Sequence, residues 1–188
     1  MLSAIVRRLS LGMGTVIVVA SGERRLPELP ATCRVVVDSQ SHRGPLFGLH
    51  DALQPLAEDI EPLRGWFYLT GCDMPLADAA FARALVARGD DRFEGVVPCE
   101  GERLQPLAAV YRPSIRTALA REIAAGETRL TRFVERLPVL AVDVRELQRD
   151  GISLDPLLGV NTPAELLEAR RRYDGDDTTR GRNRSRGI

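Results

Sequence analysis

The chain has 188 residues, 44% hydrophobic and 28% charged, which suits one globular domain with a core of its own. Its 26 basic residues balance 26 acids, so the formal charge is zero and the totals give no sign of a nucleic-acid or membrane-surface partner. Every basic residue is an arginine, so any step that needs a lysine ammonium is excluded for these residues.

The first segment, Leu2 to Leu9, carries apolar residues at helical spacing (Leu2, Ile5, Val6, Leu9) and reads as an amphipathic helix stopped near Gly12, with Arg7 and Arg8 on its polar side. Its apolar stretch is too short for a signal peptide and lacks a cleavage pattern. "TVIVVA" (15–20) is a β-branched run, the mark of a strand covered on both faces. A proline-containing loop follows, then a second short strand, "RVVVD" (34–38), ending in an acid. "GPLFGLHDALQPL" (44–56) opens with Gly-Pro and takes a helical pattern. "GWFYLTGCD" (65–73) reads as a third strand and "ADAAFARALVARG" (77–89) as a helix, with Asp78 as its cap.

"EGVVPCEG" and "LQPLAAVYR" read as two strands around a turn. A helix (113–126), a short helix "LTRFVERL", a strand "VLAVDV" (139–144) and a final helix (162–173) capped by Thr162 complete the pattern. Short apolar strands alternating with helices imply an α/β fold, a mostly parallel sheet with helices on both faces. Residues 1–173 form the expected domain. Residues 174–188 have no apolar anchor before Ile188 and are expected to be a disordered, dispensable tail. No apolar run approaches the ~20 residues of a membrane span. Cys33, Cys72 and Cys99 show no CxxC spacing, which argues for reduced thiols in the cytoplasm rather than disulfides or zinc.

Ligands of open α/β sheets bind beyond the carboxyl ends of the strands. Ser21 and Gly22 follow the first strand, Asp38 the second and Asp73 the third. Asp38 is equally readable as a turn former. Asp73 stands alone in a tight turn made by Gly71, Cys72 and Pro75, where a carboxylate suits a cation better than packing. Gly44 and Gly48 allow close backbone approach near a helix start. Asn161, just before the last helix, is either local turn chemistry or a neutral oxygen ligand shared with Asp73, a pair that would suit Mg²⁺. His42 and His50 are not spaced as a metal pair.

The order of these segments, a strand ending in Asp38, then "GPLFGLHDAL", "FYLTGCDMPL", "QPLAAVYR" and "GVNTPAEL", resembles the molybdenum cofactor guanylyltransferases of the nucleotidyltransferase superfamily, from about Leu2 to Arg172. The resemblance implies a Rossmann-like nucleotidyltransferase fold and transfer of GMP from GTP to molybdopterin or molybdenum-molybdopterin with Mg²⁺, releasing pyrophosphate. It implies Asp73 as the catalytic metal-binding acid and Asn161 as a second metal ligand. It further implies Asp38 as a guanine-nucleotide contact, Ser21 where the family has a nucleotide-contacting Asn, and Gly44, Pro45, Leu46 and Gly48 bordering the nucleotide pocket. Molybdoenzyme-maturation proteins become candidate partners. The family opens with a strand and a Gly-rich phosphate loop containing Arg and Lys, whereas this chain opens inside the helix that follows. The first strand is therefore expected to be missing from the sheet, with an upstream start favoured over a degenerate copy, and the chain as given is expected to be inactive. The alternatives are a cytidylyltransferase or other nucleotidyltransferase, and a non-catalytic remnant that binds pterin or a partner.

Overall fold

The computed structural model describes residues 1–22, 25–39, 43–54 and 65–184, with side chains described as far as Tyr173. His42, the end of the helix expected over 44–56 and the last four tail residues lie outside the described residues. Helix α1 (Leu2–Ser10) buries Ile5, Val6 and Leu9, the stripe its spacing predicts. Strand β1 (Val16–Ala20) runs parallel to β2 (Cys33–Val37), with Val18 paired to Val35. Helix α2 (Pro45–Leu53) starts at Gly44, whose φ of 93° lies in the left-handed region that glycine tolerates, and has Pro45 in its first turn.

The second sheet holds β3 (Phe67–Thr70), β4 (Gly95–Glu100), β5 (Arg103–Leu104), β6 (Ala108–Tyr111) and β7 (Val139–Asp143). β6 lies between β3 and β4 and is antiparallel to both; β5 is also antiparallel to β4, while β7 pairs with β4 in parallel. The α/β fold is as expected, but the sheet is mixed rather than mostly parallel. The cause is local: Gly101, at φ 59°, reverses the chain within two residues after β4, and so short a connection can only lay strands antiparallel. The parallel partner β7 is reached through helices α4 (Ile115–Ala124) and α5 (Leu130–Glu135), as a crossover requires.

Both faces of this sheet are covered. Val97, Ala109 and Tyr111 pack with α2, α4 and α5 on one side. Val96, Ala108 and Val110 pack on the other with Phe81 and Leu85 of helix α3 (Ala79–Val86) and with Leu147 of α6 (Val144–Arg149), a helix the sequence reading did not anticipate. Residue-by-residue alternation between the two clusters is the period-2 signature of strands buried on both faces.

Among the described residues β1 pairs only with β2, and β3 only with β6, so no ladder joins the two sheets. Helices join them instead. Ile5 and Leu9 of α1 pack with Ala77, Val16 and Tyr68, touching both sheets from one side. From the other, α2 lays Gly48 against β1, where a Cβ would stand 3.7 Å from Val19, while its leucines enter the core under β4 and β6. On β3, burial pushes the Tyr68 phenol pKa up.

Arg8 does not face solvent as the amphipathic reading implied. Its side chain is 9% exposed and pairs with Asp78 at 3.4 Å. Asp78 caps α3 as expected, accepting the Phe81 N–H at 2.8 Å. The last helix, α7, spans Pro163–Arg184, so its backbone continues beyond Tyr173. Among the described residues no helix is long and apolar enough to cross a membrane.

Asp78 therefore serves both the cap and Arg8. Asp78→Ala should destabilise by about 2 kcal/mol, the upper range for a lost cap, because a nearly buried guanidinium also loses this contact. Asp78→Asn, which keeps the cap, should lose about half of that or less. Urea denaturation of both variants checks the order, and equal losses would contradict it.

Candidate functional site

Strand β3 ends at Thr70 and Asp73 stands three residues beyond it, in a half-buried turn. The carboxylate folds back over Gly71 so closely that a Cβ there would collide with Asp73 Oδ1. A side chain at Gly71 would therefore push the acid aside, although no backbone angle demands glycine there. The turn is held by Met74 N–H donating to Gly71 O at 3.2 Å and Val160 N–H donating to Asp73 O at 2.7 Å. The second bond brings the segment around Asn161 beside Asp73, although 88 residues separate the two in sequence. The Asp73 carboxylate accepts no hydrogen bond and forms no ion pair among the described residues. Other acids in similar positions are occupied. Asp78 caps α3. Asp143, at the end of β7, caps α6 through Arg145 N–H at 2.8 Å and is gripped by the Arg145 guanidinium, which brings its pKa down to about 2.

Asn161 is exposed and its position is set by the start of α7. Glu165 accepts the N–H groups of Asn161 (2.8 Å) and Thr162 (2.9 Å), and Thr162 Oγ1 accepts from Glu165 N–H at 3.3 Å. This is a reciprocal capping box. The Asn161 N–H, first among these bonds, holds the Glu165 carboxyl below its usual range. A depressed folded-state pKa gives a stabilisation present above the ordinary glutamate pKa and lost as pH falls through the lowered value. The Asn161 geometry is accordingly an assembly of neutral pH.

Ser21 and Asp38 are brought together at the ends of the parallel pair β1 and β2, with Asp38 N–H donating to Ala20 O at 2.9 Å. Pro45 lies in the first turn of α2 and Gly48 is packed on β1. Leu46 is 0% exposed and belongs to the core, so only its backbone could border a ligand. Asp38, Ser21 and the Gly44–Gly48 segment thus form one group and Asp73 with the Asn161 segment another, with no strand pairing among the described residues between the two sheets that carry them. Two further residues shape the site without having stood out in the sequence. Val160 acts through its backbone, which leaves no composition signal. Asp51 is a buried acid on α2 and is taken up below.

The Asp73 turn, with the segment of Asn161 tied to it through Val160, lies beyond a strand end, where open α/β sheets bind their ligands. Residues 1–142 match the family model described as the MobA-like NTP transferase domain, and the chain belongs to that family. A probable molybdenum cofactor guanylyltransferase of Chloroflexus aggregans is 34% identical over 154 residues, 80% of this chain and 70% of that protein. A protein of the same description from Carboxydothermus hydrogenoformans is 28% identical over 123 residues, 65% of this chain. The chain matches only 59% of the length of that relative. Among solved structures, the molybdopterin-guanine dinucleotide biosynthesis protein A of Archaeoglobus fulgidus superposes with a TM-score of 0.60 at 24% identity, over 76% of this chain and 69% of that one, a likeness of fold.

The collision at Gly71 gives a direct test of the turn. Gly71→Ala should leave β3 and its pairing with β6 in place while displacing the Asp73 carboxylate. A crystal structure of the variant would report it, and an unmoved carboxylate would contradict the account.

Proposed function

We propose that this chain is a cytoplasmic molybdenum cofactor guanylyltransferase-like protein, built to transfer GMP from GTP to molybdopterin with release of pyrophosphate. The observation that carries the reading is the unpaired Asp73 carboxylate, folded over Gly71 and tied through Val160 to the segment of Asn161. The names of the relatives support the choice of substrates.

The donor set fits Mg²⁺. One carboxylate and one amide oxygen are what a hard cation takes from a protein when substrate phosphates and water complete its shell. Asp73 and Asn161 would hold it, and when bound it would neutralise charge on the phosphates. The remaining work falls to the chain. Asp38 and Ser21, at the ends of β2 and β1, would orient the nucleoside. Gly44 and Gly48 would let the α2 backbone approach it. The acceptor phosphate is already anionic, so its attack on the α-phosphorus needs no general base, only an in-line geometry. Proteins of molybdoenzyme maturation are the partners this chemistry would serve.

In a form with activity, Asp73→Asn should keep the fold and reduce transfer at least about a hundredfold, the scale for losing a preorganised charge. Undiminished transfer would remove Asp73 from the mechanism.

A further inference from the structure

The one buried acid among the described residues, Asp51, has no place in the account above. It lies on α2 at 7% exposure, between Leu49 and Leu53 of the core. An acid is seldom buried unless its oxygens are engaged, and both are engaged with a single residue. Ser39 N–H donates to Asp51 Oδ2 at 2.7 Å, and Ser39 Oγ–H donates to Oδ1 at 2.9 Å. His50 Nδ1 stands 3.6 Å from Oδ1, and its Nε2 lies 3.0 Å from the Gln54 amide nitrogen. A proton donated by that amide to Nε2 leaves the ring proton on Nδ1, directed at Asp51.

Ser39 follows Asp38, and Asp38 is itself pinned on the other side by its N–H to Ala20 O at 2.9 Å. The turn after β2 is therefore clamped between β1 and α2, the helix whose first turn carries Gly44 to Gly48. We infer that Asp51 is a positioning residue, which locks the Asp38–Ser39 turn onto α2 and thereby sets the orientation in which Asp38 meets a nucleotide. The inference rests on the nucleotide reading above, but the clamp can be measured without any nucleotide.

The test uses the ¹⁵N-labelled 188-residue chain and three variants, Asp51→Ala, Asp51→Asn and Ser39→Ala. In Asp51→Ala the Ser39 amide should exchange with solvent at least about tenfold faster, the scale of a lost hydrogen bond to a charged group, while Val96 and Val97 of β4 keep their rates. Asp51→Asn should largely restore protection, because its Oδ1 can accept the Ser39 N–H while its Nδ2 donates to Ser39 Oγ. Ser39→Ala, which leaves the core acid in place, should keep the amide bond and show a smaller rise, and it remains informative if Asp51→Ala fails to fold. An unchanged Ser39 rate in every variant overturns the inference, as does exchange that quickens equally across all strands. Titration with millimolar GTP and Mg²⁺ then separates the two claims. The Asp38 amide should respond in the unaltered chain, at least about fivefold more weakly in Asp51→Ala, the scale of a modest coupling. No response in the unaltered chain overturns the nucleotide reading itself. A response that survives Asp51→Ala undiminished overturns the positioning role alone.

Discussion

The hydrogen bond from Val160 N–H to Asp73 O, at 2.7 Å, is the contact on which the organisation of this protein turns. It ties the approach to the last helix to the end of β3 and sets Asn161 beside Asp73. A backbone donor suits this task. It fixes the position of the turn through the Asp73 carbonyl and leaves the carboxylate uncommitted. The capping box on α7 completes the arrangement, since Glu165 accepts the N–H groups of Asn161 and Thr162 and fixes the backbone there.

The second constraint is the division of the sheet. β1 and β2 form one ladder, β3 to β7 another, and α1 and α2 hold them from opposite sides. Helix packing replaces strand pairing as the link, which makes the relative placement of the Asp38 group and the Asp73 group a matter of core complementarity. Gly12 lets α1 come close to α3, where a Cβ would stand 2.8 Å from Ala79 Cβ. Apolar side chains such as Val35 and Val37, the latter 62% exposed, remain on β2 as the counterpart of this incomplete cover.

Much of this could be read from the residues. β-branched runs marked β1 and β2, the Gly-Pro pair marked the start of α2, and Thr162 with Pro163 marked α7, because each signal acts within a few residues of itself. The isolated acid in "GCDMP" stood out for a reason the structure supplies, the space over Gly71. Strand direction was not legible, since antiparallel β6 differs from a parallel strand only in how the chain returns. α6 was missed although Asp143 caps it and Glu146 follows at capping-box spacing in its first turn, because the strand pattern ran up to its first residue. Asp51 was hidden for another reason. Helical periodicity assigns an acid to the solvent side, but α2 is buried on more than one face, and only the fold reveals that Ser39 waits for it.

The central claim is that Asp73 and Asn161 act as one cation site for a nucleotide. Paramagnetic broadening by Mn²⁺ in the presence of GTP, followed residue by residue by NMR, tests it most directly. The account predicts that amides of the Gly71–Met74 turn and of Val160 to Thr162 broaden together and first, with the Asp143 cap of α6 left sharp. Broadening centred on other acids, with the Asp73 turn unaffected, would contradict it.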